Sequence, residues 1–231
     1  ISNSYENPAL AIALRISLRM WASRSGMGEK EKLRLKGKIL LSAGRLVPWK
    51  GFALLIEIMP DLLKSFPDLH LVIIGDGPDR ELLENKKDSL GLGESVKFIG
   101  NISHTKVMEY LVASDIYVLN TAYEGFSHQI LEAMMVEIPI VTTRAGGNPE
   151  LINDKSGFMV DFNDANGFKN KITHILNSAF PFTMGGQKHL IPGEDTKMRI
   201  DNAQKEAKRI SQEFSVTHMI NETLEVFKNV P

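Results

Sequence analysis

Two glutamates eight positions apart could do chemistry on a polar ligand. Glu124 lies in a short loop after an apolar run, and Glu132 lies in the helical pattern that follows. A loop between a buried strand and a helix N-terminus is a usual place for an anionic ligand, because the first N–H groups of a helix have no acceptor within it. Carboxylates accept hydrogen bonds from hydroxyl groups, as on sugars. This loop therefore indicates a ligand with both phosphate and hydroxyl groups.

Each of these side chains also has an ordinary structural explanation. Glu124 would favour the helix dipole, and Glu132 would be a solvated helix position. His128, in the same loop, is a candidate acid or base because the pKa of free histidine lies near neutrality. We favour a role for its backbone amide over a catalytic imidazole.

Two basic residues follow the first predicted strand. Arg45 and Lys50 lie in a loop that starts at Gly44, and Gly51 opens the next helical pattern. Two cations beside a helix N-terminus, at the carboxyl end of a strand, can clamp a diphosphate. Considered by itself, Arg45 is explained equally well as a surface cation without a ligand.

Strand and helix patterns alternate from residue 38 to residue 178. We predict six strands, at residues 39–43, 69–74, 96–99, 115–119, 138–142 and 157–160, and helices that include residues 52–66 and 79–90. The strands are almost all continuous apolar runs and do not alternate with polar residues, which favours an α/β domain: a doubly wound, Rossmann-like parallel sheet with helices on both faces. Ligands of such sheets bind at the carboxyl ends of strands, so the loops after the strands should line one cleft.

The two ends of the chain do not follow this alternation. Residues 1–37 are predicted to form a linker and a helix over residues 9–24, either packed with two solvated arginines, which we favour, or lying on a membrane surface. Residues 179–197 are predicted to be an irregular loop or insertion. Residues 198–231 are predicted to form C-terminal helices that pack on the domain.

Composition excludes several classes of protein. The 231 residues include no cysteine and carry a net charge of −1, which argues against a disulfide framework, a thiolate metal site and bulk nucleic-acid binding. The six histidines are scattered, with no metal-ligand spacing, and no D-x-D triplet occurs. Asp76 and Asp79, near a predicted helix start, are explained by capping.

Several motifs occur in an order that resembles a known family. The chain is similar to the C-terminal, donor-binding domain of a GT-B fold glycosyltransferase of family 4 over residues 38 to about 177, and Glu124 with Glu132 matches that family's E-x7-E pattern. The motifs are GR at 44–45 with KG at 50–51, IGDGP at 74–78, FIG at 98–100, YEGF at 123–126, EAM at 132–134 and GGNPE at 146–150.

The resemblance implies a role for each candidate residue. Arg45 and Lys50 would bind the donor's diphosphate, Glu124 the donor sugar, and Glu132 the ribose hydroxyls. The other implied donor-binding residues are Gly44, Gly75, Ile102, Gly125, Phe126, Ser127 and His128, with Gly75 and the loop from Gly100 to Ile102 beside the base.

The implied activity is transfer of a hexose, with retention of configuration, from a UDP-, GDP- or ADP-sugar to a glycan or lipid-linked acceptor. No metal and no other cofactor is expected. The acceptor would bind an N-terminal domain that this sequence lacks, either in the cytoplasm or with peripheral contact to the inner face of the membrane. The alternative is a stand-alone nucleotide-sugar-binding module that needs a partner chain, and a related epimerase or phosphorylase is less favoured.

Two positions depart from the family pattern. Glu137 stands where the family usually has glycine, and Asn120-Thr121 replaces a usual Pro-Ser. Residues 179–197 match no motif of the family.

Overall fold

A computed structural model describes residue 30 and residues 33–153, 155–178, 180–184, 187–191 and 193–213. The helices expected at residues 9–24 and 216–227, and most of the expected N-terminal linker, lie outside these residues. The division of the chain into domains stays a prediction.

The centre of the structure is a parallel sheet of six strands, as the sequence predicted. The strands are β1 (Lys38–Ala43), β2 (Leu69–Ile74), β3 (Val96–Gly100), β4 (Ile116–Leu119), β5 (Ile140–Thr143) and β6 (Phe158–Val160), in the order 3-2-1-4-5-6. β1 pairs with both β2 and β4. The winding direction reverses between β1 and β4, which makes the gap between their following loops the topological switch point of the sheet.

Helices cover both faces of the sheet. They are α1 (Phe52–Glu57), α2 (Met59–Ser65), α3 (Arg80–Ser89), α4 (His104–Ala113), α5 (His128–Met135), α6 (Asn148–Leu151), α7 (Ala165–Ser178) and α8 (Glu194–Glu213). Leu40 packs into one apolar core with α1, α2, α3 and α7, whereas Ile39 and Leu41 pack into a second core with α4, α5, α6 and α8. Each fully buried side chain of this kind stabilises the fold by about 1.5–3 kcal/mol. Among the described helices, none is long and apolar enough to cross a membrane.

The helix predicted over residues 52–66 is two helices. α1 ends at Glu57 and α2 begins at Met59, with Pro60 in its first turn. Proline has no backbone N–H and its ring crowds the carbonyl four residues earlier, so it is tolerated at the start of a helix and disrupts the interior. The prediction of one continuous helix was wrong because it passed over Pro60.

The segment predicted to be irregular, residues 179–197, is largely regular. β7 (Phe180–Met184) pairs antiparallel with β8 (Gln187–Ile191), and α8 begins at Glu194. The two glycines between the strands in the sequence are a hairpin signal that the prediction overlooked. Acidic residues at positions 194 and 195 favour a helix start there.

Glu137 adopts a left-handed backbone conformation after α5, with φ of 63°. This conformation costs most L-residues roughly 1–2 kcal/mol and costs glycine little. The departure from the family pattern at this position therefore places a side chain where the turn favours glycine.

Candidate functional site

The loops after β1, β2 and β3 are joined by backbone hydrogen bonds. The amide of Gly44 donates to the carbonyl of Ile74 at 2.9 Å, and the amide of Gly75 donates to the carbonyl of Gly100 at 2.9 Å. Gly75 has φ of +126°, and a Cβ there would lie 1.9 Å from the Gly44 carbonyl oxygen. Only glycine permits this approach, so these loops form one continuous surface.

The loops after β4 and β5 extend this surface. The amide of Ala122 donates to the carbonyl of Trp49 at 2.7 Å, and the amide of Gly147 donates to the carbonyl of Glu124 at 3.2 Å. Gly146 has φ of +52°, and a Cβ there would lie 1.6 Å from the carbonyl oxygen of Glu124. The glycines of the GGNPE motif therefore hold the backbone that carries Glu124.

A cavity of about 450 Å³ lies between the loops of β1, β2 and β3 and the start of α5. Of the residues expected at the site, four line it: Gly44, Arg45, Gly75 and Ile102. Its other polar side chains are those of Asp76, which the sequence analysis explained by capping, of Asn101, in the loop expected beside the base, and of Gln129.

Asp76 and Asp79 do not cap α3 as expected. Asp79 stands at the N-cap of α3 without a side-chain capping bond. Asp76 Oδ1 accepts a hydrogen bond of 2.8 Å from the amide of Gly77, within the loop that faces the cavity. The capping explanation was wrong because the turn bends Asp76 back onto its own loop.

Lys50 and Glu124 form an ion pair at the switch point. Their side chains are only 14% and 15% exposed, although both lie in loops. Partial burial lowers the effective dielectric and strengthens such a pair. Two residues that were expected to bind different parts of a ligand, the diphosphate and the sugar, are thus in direct contact. Arg45 is exposed, and it forms no ion pair with any other described residue.

Tyr117, the second residue of β4, is fully buried. Burial raises the pKa of its phenol, and the nearby carboxylates of Glu124 and then Glu132 raise it further. Both carboxylates therefore act on one fully buried side chain of β4. The phenol stays neutral at physiological pH.

Glu132 is hydrogen-bonded to a residue that the sequence analysis set aside. Its Oε1 lies 2.7 Å from Nε2 of His104, the first residue of α4. The Glu132 side chain is 15% exposed and that of His104 is 44% exposed. Their 28-residue separation hid this contact in the sequence, where His104 appeared as one of several scattered histidines.

The loop before α5 presents the remaining expected residues. Ser127 is buried, and its Oγ accepts from the amide of Ile130 at 3.4 Å, which caps α5. Gly125, Phe126 and His128 are exposed, and the rings of Phe126 and His128 meet edge to face at 5.8 Å. The N–H groups of the first turn of α5 have no acceptor within the helix, so this end of the cleft favours an anion.

No group of three or more acidic, histidine or cysteine side chains in the described ranges is arranged to hold a metal ion. Lys50 and Arg45 bring positive charge to the site.

Comparison with known proteins shows which family these features belong to. The model of the family described as glycosyl transferases group 1 matches residues 26–190. The lipopolysaccharide core biosynthesis glycosyltransferase LpsE of Rhizobium meliloti is 34% identical over 139 residues, which are 60% of this chain and 39% of LpsE. This chain therefore spans less than half the length of that relative.

Solved structures agree on the fold. Anabaena Alr3699/HepE in complex with UDP-glucose has a TM-score of 0.70 and 25% identity, over 89% of this chain and 52% of HepE. The C-terminal domain of LpcC, a glycosyl transferase group 1 family protein from Francisella tularensis, has a TM-score of 0.67 and 24% identity, over 83% of this chain and 94% of that domain. With the family match over most of its length and the Rossmann-like half of a GT-B fold, this chain is a member of the group 1 glycosyl transferases.

Proposed function

We propose that this chain is the donor-binding part of a retaining, metal-independent hexosyltransferase. The observation that carries the proposal is the pairing of Lys50 with Glu124 at the switch point, with Glu132 on the helix that follows the Glu124 loop. A cation, a carboxylate that can bind sugar hydroxyls and a second carboxylate that can bind ribose hydroxyls then follow one another along a single cleft.

The strand order supports a direction for the donor. The nucleoside would occupy the cavity formed by the loops of β1, β2 and β3, where Gly75 and Ile102 would border the base. The diphosphate would lie between Arg45 and the N-terminus of α5, and the hexose would contact Glu124. In this arrangement the sugar nucleotide crosses from β3 towards β5 over the switch point.

Lys50 would stabilise the leaving group. A departing nucleoside diphosphate gains negative charge in the transition state, and a cation already held in a partly buried position stabilises that charge without reorganisation. Glu124 holds Lys50 in this position before the donor arrives. Positive charge from Lys50 and Arg45 supports transfer without a divalent metal, and the family resemblance supports a front-face displacement that retains configuration.

The relatives suggest which ligands to test first. HepE was solved with UDP-glucose, which supports a UDP-sugar as donor. LpsE acts in lipopolysaccharide core biosynthesis, which supports a glycan or lipid-linked acceptor. Transfer would then take place in the cytoplasm or at the inner face of the membrane, as expected from the sequence. We propose that an N-terminal domain of the longer protein binds this acceptor.

The first experiment is a binding screen of this chain against UDP, GDP, ADP and their hexose conjugates, with and without EDTA. A ligand that binds only the folded state raises the melting temperature by mass action. We expect a shift with one nucleotide that persists in EDTA, and a larger shift with its sugar conjugate. A shift that EDTA abolishes would contradict metal independence, and no shift with any nucleotide would contradict the donor-binding proposal.

A matched variant tests the placement of the donor. Glu132→Ala should weaken binding of the selected nucleoside diphosphate by about 1–3 kcal/mol through lost hydroxyl hydrogen bonds. Unchanged affinity by calorimetry would contradict the ribose assignment. A transfer assay with the full reading frame then separates an enzyme from a stand-alone binding module, which would bind the donor and leave it intact.

A further inference from the structure

One histidine connects two walls of the cleft. His104 starts α4, directly after the loop in which Asn101 and Ile102 line the cavity. Its Nε2 reaches 2.7 Å to Oε1 of Glu132, on α5. The helix that follows the loop at the expected base position is therefore bonded to the carboxylate expected at the ribose.

The direction of this hydrogen bond follows from its chemistry. An ionised carboxylate can only accept hydrogen bonds, so Nε2 of His104 carries the hydrogen and donates it. Oε1 of Glu132 is then held by the imidazole, and Oε2 keeps its lone pairs for other donors. Two neighbouring hydroxyl groups of a ribose are donors of the required kind.

The backbone at His104 is fixed. Oγ of Ser103 caps α4 by accepting from the amide of Lys106 at 3.4 Å. Met108 and Leu111, on the inner face of the same helix, are buried in the core. A histidine on a packed helix can orient its partner within the narrow tolerance that hydroxyl recognition needs.

We propose that His104 is a positioning residue that orients Glu132 towards the ribose hydroxyls of the donor. The proposal rests on the proposed function, because it needs a ribonucleotide in the cavity. Without the imidazole, the Glu132 carboxylate would sample other rotamers and bind the hydroxyls less often. His104 thereby contributes to the preference for a ribonucleotide without touching it.

The test separates this role from a structural one. Binding of UDP and of 2′,3′-dideoxy-UDP to this chain is measured by calorimetry, for the unaltered protein and for His104→Leu, His104→Gln and His104→Asn. Glutamine places its amide nitrogen where Nε2 lies, whereas the asparagine amide is too short to reach Glu132.

In the unaltered protein we expect the dissociation constant of UDP to be at least about tenfold lower than that of the dideoxy compound. One or two hydrogen bonds from hydroxyl groups to a charged group give a ratio of this size. His104→Leu and His104→Asn should lower this ratio by about fivefold and leave the affinity for the dideoxy compound unchanged. His104→Gln should keep the ratio of the unaltered protein. His104→Leu combined with Glu132→Ala should behave as Glu132→Ala alone, because both changes act on one contact.

Each contrary result has its own meaning. Equal affinities for UDP and its dideoxy analogue in the unaltered protein would overturn the ribose assignment itself, and with it that part of the proposed function. A normal ratio in both His104→Leu and His104→Asn would overturn the positioning role alone. Equal weakening of both ligands would show that His104 only supports the fold, and would overturn the inference as well. If His104→Leu fails to fold, the comparison of glutamine with asparagine decides.

Discussion

Two clusters of charged side chains in this molecule have nearly the same composition. At the cleft, Lys50 pairs with Glu124, and His104 is hydrogen-bonded to Glu132. Between α7 and α8, Asp195 binds both His174 at 3.3 Å and Arg199 at 3.1 Å. A sequence scan for acid, base and histidine would rank the second cluster as highly as the first.

The two clusters differ in what satisfies their hydrogen-bonding groups. Arg199 also donates to the carbonyl of Gly157 at 3.0 Å and lies 4.5 Å from the ring of Phe158, so its guanidinium connects α8 to β6. Lys50 and Glu124 belong to loops at the carboxyl ends of adjacent strands, beside a cavity. Charged groups bound to the protein's own backbone stabilise the fold, whereas charged groups at a switch point beside a cavity are placed to bind a ligand. Four predictions test this contrast.

The largest effect is expected for the backbone that carries Glu124. Gly146 and Gly91 both have positive φ, +52° and +63°, but a Cβ on Gly146 would strike the Glu124 carbonyl oxygen and one on Gly91 would meet nothing within 4 Å. Gly91→Ala should lose about 1 kcal/mol of unfolding free energy from backbone strain alone. Gly146→Ala should lose about 3 kcal/mol or more, because the loop must also move. Urea denaturation measures the unfolding free energy of both variants. Equal losses would show that the loop after β4 moves away from the added methyl group at no cost in free energy.

The next effect separates the two clusters. Lys50→Met should weaken UDP binding by about 2–3 kcal/mol, because it removes a charge-assisted contact and leaves Glu124 unpaired beside the diphosphate. Arg199→Met should leave UDP affinity unchanged and lower the unfolding free energy by about 1–2 kcal/mol. Calorimetry and urea denaturation on both variants provide the comparison. A loss of UDP affinity in Arg199→Met would remove the distinction between the clusters.

A smaller effect is expected at the exposed cation of the cleft. Arg45→Ala should weaken UDP binding by about 0.5–1.5 kcal/mol, leave uridine binding unchanged, and lose its effect in high salt, because screening reduces interactions between exposed charges. Lys64 is an exposed cation on α2. Lys64→Ala is the matched control and should change neither the affinity for UDP nor the affinity for uridine. Equal losses for UDP and uridine in Arg45→Ala would contradict a diphosphate contact.

The smallest effect concerns the pH dependence of the cluster between α7 and α8. The hydrogen bond from Arg199 holds the pKa of Asp195 below its ordinary value of 3.8. A carboxyl whose pKa is lower in the folded state stabilises the fold above its ordinary pKa, and that stability is lost as pH falls through the folded-state value. Asp195→Asn should therefore cost less than about 1 kcal/mol at pH 7, since the pair is partly exposed.

The pH profile gives the matching control. The difference in unfolding free energy between Asp195→Asn and the unaltered protein should shrink as pH falls below 4. A difference that stays constant from pH 7 to pH 3.5 would contradict a contribution from the ionised carboxylate.

Most of the fold was predictable because local patterns and backbone constraints determine it. Continuous apolar runs such as residues 71–74 are typical of strands buried on both faces, and this run lies in β2 in the structure. The errors also have local causes. One proline, Pro60, divided a predicted helix, and a Gly-Gly pair in the sequence was overlooked as a hairpin signal in a segment where β7 pairs with β8.

The candidate site was predictable in its residue types and only partly in its contacts. Glu124, Lys50 and the glycine-lined loops were expected because residues at the carboxyl ends of parallel strands must converge. The Lys50–Glu124 pair joins residues 74 positions apart, and the His104–Glu132 bond joins two helices. Neither follows from spacing, since side-chain contacts between elements depend on how those elements pack.

The sequence by itself determined the α/β class, the parallel sheet, the edge of the sheet where a ligand would bind, and the family that its motifs resemble. Those properties follow from periodicity, glycine placement and strand connectivity, each of which acts over a few residues or through simple topology. Only the tertiary structure decided which cation meets which carboxylate, that His104 contacts Glu132, and that Asp195 and Arg199 serve the fold. A hydrogen bond forms only where two groups arrive within about 3 Å of each other, and packing brings distant residues to that separation.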